Sequence, residues 1–191
     1  MECNTYRGTP VNLSNEQRLI VAMLASIQQK LAVTEDDDAV SPAFVMEAIR
    51  QDQQWAIATR YTGLFASEPM PPQVDRVCAY LGMWEHLESA YDELAVKDQK
   101  RVAATLGLGK CPLRLPGFDA KTEGESLAIA RFVLQHMCMF ARFVGRGSLI
   151  ASRPMLEAYE ATYEQYQLQM LDVTDRHLSA DQLLYVFKAA G

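Results

Sequence analysis

Apolar residues recur every three to four positions along most of this chain, which is the period of an amphipathic helix. The longest such run covers residues 74–94, and another covers residues 19–31, directly after a capping box formed by Ser14 and Gln17. No stretch of useful length alternates apolar and polar residues as a half-buried strand does. The pattern predicts an all-α fold, a compact multi-helical domain of about six to seven helices.

The sharpest interruption of this pattern is the stretch LPGFDAKTEG at residues 115–124. Its Pro-Gly pair ends whatever element precedes it, and Asp119 is a good N-cap for a new helix. The residues that follow are apolar on most sides, which is typical of a helix in the middle of a domain. We therefore predict a central apolar helix near residues 120–144.

Length and composition fit one domain, or two small helical halves that share a core, and neither needs cross-links. The chain has 191 residues, of which 49% are hydrophobic and 22% charged, and at this length roughly 70% of the unfolded surface can be buried. We predict a flexible N-terminal tail over residues 1–12 and a single helical domain over residues 13–191. The net charge of −6 removes the global attraction to phosphate, which argues against nucleic acid as a partner.

Residue types that bind metals or form disulfides are not grouped in the sequence. The four cysteines form no CxxC pair and no Cys/His cluster with zinc spacing, and the acidic run at 35–38 lacks the glycine and spaced ligands of a calcium loop. We predict no metal and no cofactor. Free cysteines are typical of the reducing cytoplasm, and no apolar run approaches the roughly 18 residues of a membrane span. We therefore expect a cytoplasmic protein without a membrane partner.

One polar stripe follows the predicted central helix. Arg131, Gln135, Arg142 and Arg146 are separated by steps of four, seven and four residues, so we expect them to share a face of the helix. The stripe is either a groove that binds anions or RNA phosphates, or a solvated edge whose last two arginines suit the negative end of the helix dipole. We favour the solvated edge.

Arg131 and His136 also fit the Arg-x4-His spacing of HEPN-type ribonucleases, which are all-helical. In that chemistry the histidine acts as acid and base, and the arginine stabilises the negative charge of the transition state. Residues five apart lie about 140° apart on an ideal helix, and no group nearby in the sequence sets the tautomer of His136. We expect His136 to be packed at the edge of the core, and the ribonuclease is the alternative.

Three tyrosines, Tyr159, Tyr163 and Tyr166, recur at helical spacing near the C-terminus. Tyrosine is favoured where one end of a side chain is buried and the other is wet, so we predict that this ladder lies at a core edge or a subunit interface. The chain also has more strongly apolar helix than one small core needs. Both features predict a homo-oligomer, most simply a two-fold dimer.

From about residue 13 onward the chain resembles the YfbU family of bacterial helical proteins. Five segments carry the resemblance, in the order of the family: LSNEQRLI at 13–20, GFDAKTE at 117–123, ARF at 130–132, PMLEAYEATYEQY at 154–166 and LSADQL at 178–183. The tail, the acidic run and residues 97–116 depart from the family pattern. The resemblance implies a compact multi-helical cytosolic homo-oligomer, with no catalytic residues to carry over.

Our leading hypothesis is a non-catalytic helical interaction or regulatory protein. It acts through surfaces that bind a second copy of itself and a further, unidentified protein. The alternative is a metal-independent ribonuclease of HEPN type that uses Arg131 and His136.

Overall fold

The computed structural model describes residues 13–31, 40–62, 64, 70–109, 111–172 and 177–188. These residues are mostly helical, with eight α-helices, a short 3-10 helix and two strands of two residues each. The predicted all-α fold is thereby confirmed. The helix beyond the predicted six or seven is a short one in an aromatic stretch, Trp55–Arg60. The predicted tail and the acidic run at 35–38 lie outside the described residues.

The chain divides into two compact units, Met1–Asp75 with Gln135–Met137, and Arg76–Leu134 with Cys138–Gly191. The elements of the first unit are α1 (Asn15–Lys30), α2 (Pro42–Arg50) and α3 (Trp55–Arg60). Most of α4 (Pro72–Glu93) lies in the second unit. The other elements of the second unit are α5 (Val96–Thr105), β1 (Phe118–Asp119), most of α6 (Gly124–His136), a 3-10 helix (Ala141–Phe143), β2 (Ile150–Ala151), α7 (Leu156–Asp172) and α8 (Ala180–Phe187).

Serine caps start the first two helices of the first unit. The Gln17 N–H donates to the Ser14 hydroxyl at 3.3 Å, and the Ser14 N–H donates to the Gln17 amide oxygen at 2.9 Å, so the predicted capping box is confirmed. The Ser41 hydroxyl accepts from the Phe44 N–H at 3.4 Å, with Pro42 in the first helical position. Helix α1 packs against α2. The core of this unit is formed by Phe44, Val45, Ala48, Trp55, Ala56 and Ile57.

The second unit has the larger core. Helix α8, which a second capping box opens at Ser179 and Gln182, packs against α5 and α7. Side chains from most elements of the unit are almost completely buried, namely Tyr80, Leu81, Met83, Leu87, Val102, Phe118, Phe132, Phe143, Tyr159 and Leu183.

The predicted central helix is correct in its burial but wrong in its bounds. Helix α6 covers Gly124–His136 and not residues 120–144, and its apolar side chains are buried on most sides. Cys138 and Phe140 have φ angles of 53° and 54°, in the left-handed region that a right-handed helix excludes. The helix therefore ends at His136, and the turn that follows brings Phe143 into the core.

The LPGFDAKTEG stretch holds two loops together. Gly117 has a φ of 92°, and a Cβ atom there would lie 2.1 Å from the carbonyl oxygen of Leu149. The Phe118 N–H donates to the same oxygen at 2.8 Å, and β1 and β2 pair in parallel. Only glycine permits this close approach of two backbones. Gly117 thus fixes the loop before β1 against the loop before β2.

A buried carboxylate connects the same region to α7. Glu123 accepts hydrogen bonds from the backbone N–H groups of Asp119 at 2.8 Å, Met155 at 2.6 Å and Leu156 at 2.7 Å. The last two donors lie at the start of α7, where N–H groups lack helical partners and the helix dipole favours negative charge. The Tyr159 hydroxyl donates to the Gly117 carbonyl at 2.6 Å. The stretch therefore positions loops and a helix within the second unit.

Candidate functional site

The second unit contains a completely buried carboxylate surrounded by arginines. Glu88, on α4, is 0% exposed, and it accepts hydrogen bonds from the Leu115 N–H at 2.7 Å and from Arg146 Nη1 at 2.6 Å. Arg142 Nε donates to it at 3.3 Å, and Arg114 Nη1 lies 3.9 Å from it. A buried carboxylate is tolerated when it is paired and hydrogen-bonded. Glu88 therefore fixes the positions of three arginine side chains.

Asp92, one turn further along α4, extends this arrangement towards solvent. Its carboxylate pairs with Arg142 and accepts from Arg114 Nη1 at 3.0 Å. Hydrogen bonding to Glu88 raises the pKa of the Arg146 guanidinium above its ordinary value. We call Glu88, Asp92, Arg114, Arg142 and Arg146 the arginine cluster. Its three arginines and two carboxylates give it a formal charge of +1.

A pocket of about 410 Å³ opens beside the arginine cluster. Its walls are the two loops that Gly117 fixes against each other, and its lining consists of Arg114, Leu115, Pro116, Arg146, Gly147, Ser148, Leu149 and Ile150. Small-molecule sites typically have volumes of roughly 300–1,000 Å³. The pocket is therefore large enough for a small ligand, and the LPGFDAKTEG stretch supplies part of its wall.

Leu149, in the wall of the pocket, has an unusual backbone conformation. Its φ is 52°, which costs a non-glycine residue on the order of 1 kcal/mol and persists only where the surroundings hold it. Here the Phe118 N–H holds the Leu149 carbonyl at 2.8 Å. Such conformations occur preferentially at binding and catalytic sites, so this wall is a candidate for one.

The four polar residues of the predicted stripe do not share one helix face, because α6 ends at His136. Arg131 and Gln135 lie on α6, with Gln135 exposed, whereas Arg142 is in the 3-10 helix and Arg146 follows it. Arg142 and Arg146 meet at Glu88 in a partly buried ion-pair cluster, so their assignment to a solvated helix edge is wrong. Arg131 reaches the wall of the pocket, where its Nε and Nη2 donate to the Ser148 carbonyl at 3.3 and 2.8 Å.

His136 has a carboxylate partner that comes from another helix of the first unit. Its Nε2 lies 3.6 Å from Oε1 of Glu47 on α2 and 3.4 Å from the Gln51 amide nitrogen. Hydrogen bonds from Arg50 and Gln51 lower the pKa of Glu47 to about 2. His136 is partly buried and lies beside the ionised Glu47, a neighbour that spacing in the sequence did not reveal.

The three tyrosines of α7 occupy different environments. Tyr159 is 1% exposed and packs edge-on against Trp84 and Phe118, so it is a core residue and not an interface residue. Burial raises the pKa of its hydroxyl. Tyr163 and Tyr166 are half-buried, with stacked rings whose centres are 6.3 Å apart. For these two tyrosines an interface role stays a prediction.

Helix α1 carries an apolar face that is exposed. Five large side chains on this face are between 51% and 69% exposed, and they fall within an arc of about 100° on a helix of 3.6 residues per turn. Ala25, the buried residue of α1, lies about 140° from Ile20, on the opposite side of the helix. We call the exposed set the α1 stripe, which consists of Ile20, Met23, Leu24, Ile27 and Leu31.

Sequence reasoning missed Glu88, Asp92 and Arg114. One signal was available for Glu88, which follows Leu81 by seven positions and Trp84 by four, and therefore occupies a core position in the apolar pattern of α4. A charged residue at such a position needs a buried partner. Arg114 stands alone in an irregular segment, and no sequence pattern connects it to α4.

The described part of the chain contains neither a membrane-spanning helix nor a metal-binding group. No helix there is both long enough and apolar enough to cross a bilayer. Within the same residues, no three side chains of the His, Cys, Asp and Glu types are placed to hold a metal ion. Cys78, Cys111 and Cys138 are free thiols.

A family model described as the YfbU domain matches residues 11–189. The match covers nearly the whole chain, including the arginine cluster, the pocket and α1. No curated protein and no solved structure matches the chain.

Proposed function

The chain belongs to the YfbU family, and from this premise we propose that it is a non-catalytic interaction protein that acts as a homo-oligomer through helix α1. The observation that carries the proposal is the α1 stripe, because exposed contiguous apolar surface marks interaction sites. We also propose the cytoplasm as its compartment, which the free thiols of Cys78, Cys111 and Cys138 support.

The α1 stripe is complementary to itself when two copies of the helix are antiparallel. A two-fold axis between Met23 and Leu24 places Ile20 of one copy opposite Ile27 of the other, and symmetry repeats each contact. Met23 of each copy then lies opposite Leu24 of the other at the centre of the pair. This order of apolar residues is what an isologous helix pair requires, so a second copy of the chain is the partner that fits the surface.

The charges at the ends of α1 favour the same arrangement. Glu16 lies in the first turn and Lys30 in the last, and both are exposed. Counted around the helix, they lie about 40° and 80° from Ile20 in the same direction, so an antiparallel pair brings Glu16 of one copy beside Lys30 of the other. A parallel pair would instead place like charges together, which is unfavourable.

Sedimentation velocity tests the proposal. We expect the wild type to form a dimer at micromolar concentration, and Ile20→Asp and Ile27→Asp each to shift it towards the 21.4 kDa monomer. Each substitution is present in both copies of the dimer, and in each copy it removes roughly 1 kcal/mol or more of stabilisation by apolar burial. The dimer dissociation constant should therefore rise about thirtyfold or more. Circular dichroism of each variant verifies that α1 remains helical.

Two matched variants complete the experiment. Ser26→Asp introduces the same charge on an exposed part of α1 about 120° from Ile20, and we expect it to leave the dimer intact. Tyr163→Ala tests α7 as the competing interface, and we expect no change. A monomeric wild type, or dissociation by Tyr163→Ala and not by the stripe variants, would contradict the proposal.

The ribonuclease alternative stays a prediction. Arg131 donates to the Ser148 carbonyl, whereas His136 lies beside Glu47. We expect no cleavage of total RNA above background by the wild type, by Arg131→Ala or by His136→Ala. Cleavage by the wild type that both substitutions abolish would establish the alternative.

A further inference from the structure

The pocket beside the arginine cluster concentrates positive charge on an acidic chain. The chain has a net charge of −6, yet Arg114 and Arg146 line the pocket and Arg131 binds the Ser148 carbonyl in its wall. Of the two carboxylates that pair with Arg114 and Arg146, Glu88 is completely buried and Asp92 is partly exposed, and neither is part of the lining. A molecule that enters the pocket therefore contacts a lining that contains the guanidinium groups of Arg114 and Arg146 and no carboxylate.

We propose that this pocket binds a small organic carboxylate that carries a short apolar chain. Arginine is suited to the carboxylate because its planar guanidinium presents paired N–H donors that match two carboxylate oxygens. The site is independent of the α1 stripe, which lies in the other unit, so either proposal can fail without the other.

The arginines that line the pocket have donors left for a ligand. A guanidinium carries five N–H donors. To the described residues, Arg114 donates through Nη1 alone, to Asp92 at 3.0 Å and to the Leu113 carbonyl at 2.8 Å. Arg146 uses Nη1 and Nη2 on Glu88. Because these ion pairs already restrain the side chains, a ligand binds them with a smaller loss of conformational entropy.

The rest of the lining explains why the ligand has an apolar part. Leu115, Pro116, Leu149 and Ile150 contribute apolar surface to the same pocket. Ile150 is 49% exposed, and a short hydrocarbon chain would cover it. A purely inorganic anion would pair with the arginines and leave this surface in contact with water, so the carboxylate with an apolar chain fits the lining better.

Titration of the full chain with hexanoate, followed by the backbone amide NMR signals, tests the proposal. We expect saturable shifts centred on residues 147–150 and on Leu115. Hexanol lacks the charge and acetate lacks the chain, so each should bind at least about tenfold more weakly, as the loss of one charge-assisted hydrogen bond or of two or more buried methylenes predicts.

Two variants locate the binding site. A Cβ atom at Gly147 meets no atom within 4 Å, so Gly147→Trp should fold and place its ring in the pocket. Arg114→Met removes one guanidinium while Arg142 and Arg146 still neutralise Glu88. We expect both variants to weaken hexanoate binding at least about tenfold.

Arg101→Met is the matched control, since Arg101 is a similarly exposed arginine that pairs with Asp181 on α8. It should bind hexanoate as the wild type does. Equal affinity for hexanoate and hexanol, equal affinity for acetate, or unchanged binding in Gly147→Trp would each overturn the proposal.

Discussion

Gly117→Ala should destabilise the second unit because the new methyl group has no room. Its Cβ would lie 2.1 Å from the carbonyl oxygen and 2.4 Å from the carbonyl carbon of Leu149, whereas a carbon atom normally approaches a carbonyl oxygen to about 3.3–3.6 Å. The loops must then separate by roughly 1 Å, which breaks the 2.8 Å hydrogen bond from the Phe118 N–H.

The cost of Gly117→Ala has two main parts. A non-glycine residue at a φ of 92° is strained by about 1–3 kcal/mol. Loss of the hydrogen bond from Phe118 and disturbance of its buried ring add about 1–2 kcal/mol. We therefore expect the free energy of unfolding of the second unit to fall by about 2–5 kcal/mol.

Urea denaturation in a Trp55→Phe background, where the fluorescence comes from the buried Trp84 of the second unit, measures this change, and two other glycines of the same unit serve as controls. Gly107 has a φ of 67° but no atom within 4 Å of a built Cβ, so Gly107→Ala should cost only the backbone strain, about 1 kcal/mol. Gly147 has an open environment, and Gly147→Ala should be close to neutral. If Gly117→Ala costs no more than Gly107→Ala, the close approach of the two loops is not as described.

Three further predictions concern single side chains. Tyr159→Phe removes a buried 2.6 Å hydrogen bond to the Gly117 carbonyl, and the free energy of unfolding measured in urea should fall by about 1–2 kcal/mol. Glu88→Gln leaves three arginines without their buried anion, so the free energy of unfolding should fall by about 3–5 kcal/mol. Asp92→Asn, at the partly exposed end of the arginine cluster, should lower it by less than about 1 kcal/mol. Glu47 has its pKa lowered from 4.5 to about 2, so its contribution to stability is complete above pH 4.5 and is lost as the pH falls towards 2. An NMR titration of its carboxyl carbon checks this value, and a midpoint near 4.5 would refute the hydrogen bonding described for Glu47.

Much of the helical architecture follows from local signals in the sequence. The capping boxes at Ser14 and Ser179 are local structures. In each, the serine hydroxyl accepts from the backbone N–H of the glutamine three residues later, and the glutamine side chain accepts from the backbone N–H of the serine, so the box forms without help from the rest of the fold. The apolar period of α4 likewise specifies its length. The end of α6 depends on distant contacts, because residues 137–144 have the composition of a helix but instead place Phe143 in the core and Arg142 beside Glu88.

The candidate sites could be predicted only in part. The sequence shows that α1 is apolar at helical spacing, but it does not show that the stripe faces away from α2, since exposure depends on where Ala25 packs. The sequence indicates Arg142 and Arg146 as candidates only through a shared helix face, whereas it is Glu88 that brings them together. Arg114 and Glu88 are far apart in sequence, and a contact of that kind has no local pattern.

The most direct test of antiparallel pairing through α1 is a double-mutant cycle in which Glu16 and Lys30 exchange their charges and the dimer dissociation constant is measured. Glu16 and Lys30 are about 21 Å apart along one helix, so they can interact only between two copies. We expect Glu16→Lys and Lys30→Glu each to weaken dimerisation, because every exposed pair contributes about 0.2–1 kcal/mol and occurs twice in the dimer. The double variant should recover most of the affinity, since the pairs reform with their signs exchanged, and the cycle cancels local effects such as the bond from the Ser14 hydroxyl to Glu16. A double variant whose loss equals the sum of the two single losses would contradict antiparallel association through α1.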